Sequence, residues 1–336
     1  MDSDRAARLR TSDLRSRLPE ILSPASLAAA VAVAILYLAG VKVGSALTAP
    51  GQPISTLWPP NALLMAALLV APKRKWPIFL AVLFPAHLLF QRQLGIPLAT
   101  SLGWFVGNTG EALLGAALLR RAGGERPLFR TVRGGIGFVL YGALLAPLAT
   151  SFFDAAVVVS TGFGNDYWSL FSTRLLSNII AVLLFVPPIV LAFEGGIRRL
   201  VRSSTPRRLE AGALTLAILV VGFTVDAGPS VPYLLALEVC AQLFCLLWAA
   251  LRFGPFESSL GVLTITLVET WNSIVGRGAF SSGTAAQNVL ALQAYAATVA
   301  IPLLLFALAE RERRRASATL RRNEERLSLS IAVSRL

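Results

Sequence analysis

Three side chains with chemistry stand at helical spacing inside the apolar run SLGWFVGNTGEALLGAALLRR: Trp104, Asn108 and Glu111. With Gly115 they recur at intervals of four, three and four, which places them on one helix face. A carboxylate facing lipid costs on the order of 2.5–3.5 kcal/mol, while each leucine recovers only about 0.5. Glu111 and Asn108 therefore belong in a packed interior, either as a hydrogen-bonded pair that locks two helices or as part of a binding or proton-coupled switching site. Gly103 and Gly107 form a G-x-x-x-G on the neighbouring stripe, which lets another helix approach closely.

Weaker candidates follow the same logic. Asp154 lies alone in a later run, Glu238 and Gln242 sit at i,i+4, and Glu269 and Asn272 at i,i+3. For these, packing is the favoured reading. Arg174 and Asn178, also at i,i+4, can supply a cationic partner for one of the carboxylates. His87 is the only histidine and has no second imidazole for a metal site, so an interfacial position is expected. Cys240 and Cys245 are spaced neither for metal nor for a disulfide framework. No phosphate loop, H-E-x-x-H, G-x-S-x-G or Cys/His zinc pattern is present. The expectation is a chain without catalytic residues, metal ligands or cofactor.

These residues must be positioned by membrane helices. Of the 336 residues 55% are hydrophobic and only 15% charged, with mean hydropathy +0.66, where a soluble domain carries roughly a quarter charged. A crossing needs about 20 apolar residues. Candidate spans run over 25–48, 56–72, 76–91, 98–119, 134–159, 168–193, 209–226, 231–252, 256–275 and 288–309. The second and third are short and proline-bounded, suited to a tight hairpin or a partly re-entrant pair. The fold expected is an all-α, polytopic membrane helix bundle of ten spans, with eight as the alternative count.

The net charge of +13 raises nucleic acid, but the basic residues stand at the ends of apolar runs without interleaved aromatics, so topology explains them and no nucleic acid is expected. Of the 31 lysines and arginines, only Lys42, Arg92, Arg174 and Arg277 fall on or near one side. That bias puts both termini in the cytoplasm. Residues 1–24, with Arg5, Arg8, Arg10, Arg15 and Arg17, form a basic cytoplasmic N-terminus ahead of a signal-anchor helix; 25–309 form the membrane domain. The outer loops are short, so a stimulus must act in the membrane, on the loops or through a partner.

In STLWPPNALLMAALLVAPKRKWP, Trp58, Pro59 and Pro60 make a helix start: proline suits the first turn and tryptophan the membrane interface. Asn61 can hydrogen-bond beside this rigid entrance, and ligand contact is the second reading of the motif. Beyond span ten, 310–336 continue as helix without Pro or Gly. Phe306, Arg313, Leu320 and Leu327 form one heptad row; Ala309, Ala316, Asn323 and Ser330 form the other. The readings are a solvated anchor helix or a rigid connector relaying signal through Ala309, Ala316, Leu320, Asn323 and Leu327. The second implies a homodimer through this helix. The pattern is still amphipathic at Leu336, as in a chain cut short.

Several motifs, taken in order, resemble a known family. Ile54-Ser55-Thr56-Leu57-Trp58-Pro59-Pro60, Lys73-Arg74-Lys75-Trp76-Pro77 and Gly107-Asn108-Thr109-Gly110-Glu111-Ala112 are followed by Leu251-Arg252-Phe253-Gly254, Gly276-Arg277-Gly278-Ala279-Phe280, Leu292-Gln293 and Ala309-Glu310-Arg311-Glu312-Arg313. The set is similar to the membrane-associated sensor domain of the first MASE type, over about 25–313. Ala62, Ala279 and Ser177-Asn178 depart from its usual Gly, Pro and Gly-Asp. The resemblance implies a sensory module of the bacterial inner membrane placed before PAS, histidine-kinase or diguanylate-cyclase domains, and the tail from Asn323 is similar to the first helix of a PAS domain. Arg277 joins Trp58, Pro59, Pro60, Asn61, Trp104, Asn108, Glu111, Arg174 and Asn178 as candidates for ligand binding or switching. The stimulus expected is a small molecule or a membrane protein. The alternatives are a small-molecule transporter or channel, or a scaffold that recruits a partner.

Overall fold

The computed structural model describes residues 23–48, 55–123, 127–224 and 232–333. Among them every regular element is helical and no strand occurs. Each apolar segment marked above is a helix: α1 Pro24–Ala46, α2 Pro59–Val70, α3 Trp76–Gln93, α4 Leu98–Gly123, a fifth stretch within Val132–Ser160, and α7 Tyr167–Phe193. After the short α8 Gly196–Val201 come α9 Thr205–Thr224, α10 Pro232–Arg252, α11 Pro255–Ile274 and α12 Ala285–Val333. Four are long and apolar enough to cross a bilayer: Pro24–Ala46, Val132–Ser160, Tyr167–Phe193 and Ala285–Arg326. The N-terminal arginines, residues 49–54, Arg126 and the turn 226–230 lie outside the described residues, as do the side chains of Leu327 and Ser330.

The fifth stretch is less regular than an apolar run predicts. It comprises α5 Val132–Gly137, a π-helical segment Phe138–Leu145 and α6 Ala146–Ser160. Pro147 in the first turn of α6 has no N–H for the carbonyl four residues back, and its ring crowds that carbonyl. Wider i→i+5 bonding upstream accommodates both. Pro85, Pro187, Pro188 and Pro302 sit inside helices that continue through them, a tolerance common in membrane helices.

The described residues cluster into two compact units. One is drawn from 23–48, 55–117 and 145–182, the other from 118–144 and 183–333. In the first, α1 packs on α2 and α3 through a small-residue stripe. A Cβ at Gly40 would meet Leu63 Cδ1 at 2.7 Å, and one at Gly44 would meet the Trp58 ring at 2.8 Å. The α2–α3 hairpin is tight: a turn of 3-10 helix, Lys73–Lys75, joins the helices, and Trp76 Nε1 donates to the Leu68 carbonyl at 2.9 Å. The G-x-x-x-G of α4 meets α6, where Gly103 faces Val157 and Gly107 faces Asp154 with no room for a Cβ.

In the second unit α11 packs on α9, α10 and α12, and α12 also packs on α10 and α5. Asn272 Nδ2 donates to the Gly222 carbonyl at 2.6 Å, and Gly135 is covered by Leu308 of α12.

Candidate functional site

Buried polar residues of the first unit form two layers, because α4 and α7 each present polar groups on successive turns. In one layer Arg174 Nη2 pairs with Asp154 Oδ2 at 3.1 Å and donates to Asn108 Oδ1 at 3.3 Å. Asn108 Nδ2 in turn donates to the Tyr37 hydroxyl at 3.0 Å. One turn along, Asn178 Nδ2 donates to Glu111 Oε2 at 2.7 Å, and Thr150 Oγ1 reaches the same oxygen at 3.3 Å. Asn108, Glu111, Asp154 and Asn178 are all at most 1% exposed. A lone buried charge is far costlier than a paired one, so the cation on α7 and the carboxylate on α6 hold those helices in register with α4.

Asn61, fully buried beside Glu111, makes no hydrogen bond through Nδ2 or Oδ1, and Glu111 Oε1 is also unbonded. The entrance before it is built by Ser55, whose Oγ lies 2.6 Å from the Gly44 carbonyl and 2.7 Å from that of Leu57. This fixes Trp58 on Gly44. Pro59 and Pro60 occupy the first turn of α2 and are buried, so they shape the entrance and expose no face of their own.

Trp58, Trp104, Asn108, Arg174, Ser177 and Asn178 line a cavity of about 400 Å³ together with Val41, Ser45, Thr48, Ser55, Gln91, Leu94, Ile96, Val158, Phe163 and Leu170. That volume lies in the range of small-molecule sites. The two indole Nε1 atoms, Arg174 Nε and Ser177 Oγ are buried and have no hydrogen-bond partner. Trp104 stacks edge-on against Phe163 with ring centroids 5.8 Å apart.

The sequence missed Tyr37, Thr150 and Ser177 as members of this site. Tyr37 shares a stripe with Gly40 and Gly44, a small-residue signal that would have marked a helix-packing face. Thr150 and Ser177 carried no comparable signal. Arg277 is not brought together with the other candidates: it belongs to the second unit, on an exposed turn where its N–H donates to the Asn272 carbonyl at 2.8 Å between two positive-φ glycines. Of the candidates, Trp58, Trp104, Asn108, Arg174 and Asn178 line the cavity, Glu111 is bonded to Asn178, and Arg277 does not line it. His87 is buried. Its Nε2 lies 3.1 Å from the Ser101 carbonyl, and its ring packs on Tyr37 and Phe105.

A second polar cluster belongs to the other unit. Gln242 Nε2 donates to Glu269 Oε1 at 2.5 Å and lies 3.4 Å from Glu238 Oε1, while the Tyr295 hydroxyl donates to Gln242 Oε1 at 3.0 Å. Among the described residues no arginine or lysine bonds to either carboxylate.

Past Ala309, where the apolar run ends, α12 is pinned from the side. Arg311 Nη1 donates to the Phe129 carbonyl at 3.0 Å, Glu312 Oε1 accepts the Val132 N–H at 3.3 Å, and Arg314 reaches the Leu251 carbonyl. Glu310 accepts from Arg313 and Arg314 at 2.8–3.1 Å, and these bonds push its carboxyl down to about 2. Further on, Ala309, Ala316, Leu320 and Asn323 are exposed, Leu320 by 63%.

Neither the curated proteins nor the solved structures contain a match to the chain. The MASE1 family model matches residues 29–314, which covers both polar clusters and the pinned start of the exit helix. The chain belongs to the MASE1 family of membrane-associated sensor domains of signalling proteins.

Proposed function

We propose that the chain is the input part of a signalling protein. It spans the bacterial inner membrane ten times, keeps both termini in the cytoplasm, and relays a membrane or periplasmic stimulus through α12 to a cytoplasmic output domain of the histidine-kinase or diguanylate-cyclase kind. The observation that carries this reading is α12 itself, a helix running unbroken over Ala285–Val333 from an apolar segment into a charged one. Basic residues at alternate ends of the apolar segments support the topology. Exposed Ala309, Ala316, Leu320 and Asn323 support pairing of two copies along the helix. Among the described residues the chain passes from one unit to the other within α4, at the end of the π segment and within α7, so a change around Glu111 is covalently linked to the second unit through these helices.

An insertion series tests the relay. With a reporter kinase fused after Leu336, one to four alanines inserted after Asn323 should make output rise and fall with helical phase. A monotonic response, or none, would count against a rigid relay. Glu111→Gln should alter stimulus dependence while the protein stays in the membrane.

A further inference from the structure

We propose that the cavity of the first unit binds a small organic acid, with a carboxylate head on a compact apolar body. Its walls divide by chemistry. Trp58 Nε1, Trp104 Nε1, Arg174 Nε and Ser177 Oγ are buried and unpartnered. Indole and guanidinium nitrogens donate and never accept, and a hydroxyl can donate as well. A buried donor without an acceptor costs roughly 1–3 kcal/mol, and the four residues that carry these donors all line one space of about 400 Å³, which calls for a molecule that brings acceptors within their reach.

The unpartnered carboxylate oxygens of this unit do not offset them. Asp154 Oδ1 is wedged against Gly107, and Glu111 Oε1 lies a turn deeper, beside Asn61. An amine entering the cavity would meet the like charge of the Arg174 guanidinium with no carboxylate among the lining residues. Arg174 is the cavity's one cation and already shares Nη2 with Asp154, which suits a monoanion better than a phosphate. Val41, Leu94, Ile96, Val158, Phe163 and Leu170 supply an apolar wall, and the edge-on Trp104–Phe163 pair suits a flat or compact body. Thr48, Ser55, Ile96 and Phe163 flank helix ends on the side poor in basic residues, so the acid enters from outside.

This inference rests on reading the first unit as the sensory part, and the two can be tested separately. Acetate, butyrate, hexanoate and benzoate are titrated against the purified full chain in detergent, with ethylamine, butylamine, hexylamine and benzylamine as matched controls. Thermal unfolding is the readout. At least one acid should raise the melting temperature saturably while its amine does not. Trp104→Phe and Trp58→Phe keep the ring and lose the N–H; each should weaken that acid by roughly tenfold or more. No saturable acid response, an equal response to the amine, or unchanged affinity in both folded variants would overturn the site. Binding that is real but never alters reporter output would leave the site standing and overturn the sensory reading. A normal insertion series without acid binding would do the reverse.

Discussion

Asp154 of the first unit and the Glu238–Glu269 pair of the second are buried in opposite ways, while Glu111 of the first, held by the Asn178 amide, resembles the latter. In the first, Asp154 is matched by Arg174 and tied through Asn108 to Tyr37, and the set borders a cavity. In the second, Glu238 and Glu269 share the amide of Gln242, which Tyr295 holds in place. A salt-bridged set stores a large penalty for losing one partner, whereas an amide-held set can exchange a carboxylate for its amide at little loss. The first suits a site whose occupancy must be felt by its helices; the second suits a fixed packing element.

The largest effect should come from Arg174→Ala. It strands a fully buried Asp154 and should lower unfolding stability by about 3–5 kcal/mol, measured by denaturant titration in detergent. Adding Asp154→Asn should recover most of that loss. If the single substitution loses less than about 1 kcal/mol, the ion pair is not what distinguishes the two units. Next, Gly107→Ala pushes a methyl into Asp154 and should destabilise by about 1–3 kcal/mol, as overpacking does. Its infrared carboxylate signature should show a displaced Asp154; an unshifted band would mean that α4 and α6 separate at no expense to the pair. Glu269→Gln in the second unit should stay within about 1 kcal/mol of wild type, and a loss equal to that of Arg174→Ala would erase the contrast.

The smallest effect concerns the tail. The Glu310 carboxyl is held at about 2, below its ordinary 4.5, by Arg313 and Arg314. A depressed carboxyl stabilises fully above its ordinary value and loses that contribution as pH falls through the folded one. Amide-exchange protection around residues 310–316, taken relative to the intrinsic rate at each pH, should therefore fall between pH 4.5 and 2 in wild type and hold steady in Glu310→Gln.

Much of this was legible in the sequence. Glu111, Asn108, Arg174 and Asn178 stood out because polar groups in apolar helices are costly, and their spacing matched helical faces. Which carboxylate would take Arg174 was not legible, since pairing depends on how α6 lies against α4. The meeting of Trp58 with Trp104 at one cavity is likewise tertiary, joining helix starts 46 residues apart. The π segment had only Pro147 as its signal. That Arg277 lies in the second unit, apart from the other candidates, was not legible either, since the motif around it carried only the family resemblance.

The exit helix has a mechanical consequence. At 1.5 Å rise per residue, Ala285–Val333 is roughly 74 Å long, and the part beyond Ala309 is roughly 36 Å. Because Arg311, Glu312 and Arg314 hold it near that point, a helix that pivoted there would act as a lever with its fulcrum where the apolar run ends. A tilt of about 5° there would sweep the far end through roughly 3 Å over that length, so a side-chain-sized adjustment near the pivot is enlarged to a displacement of several ångströms at Val333.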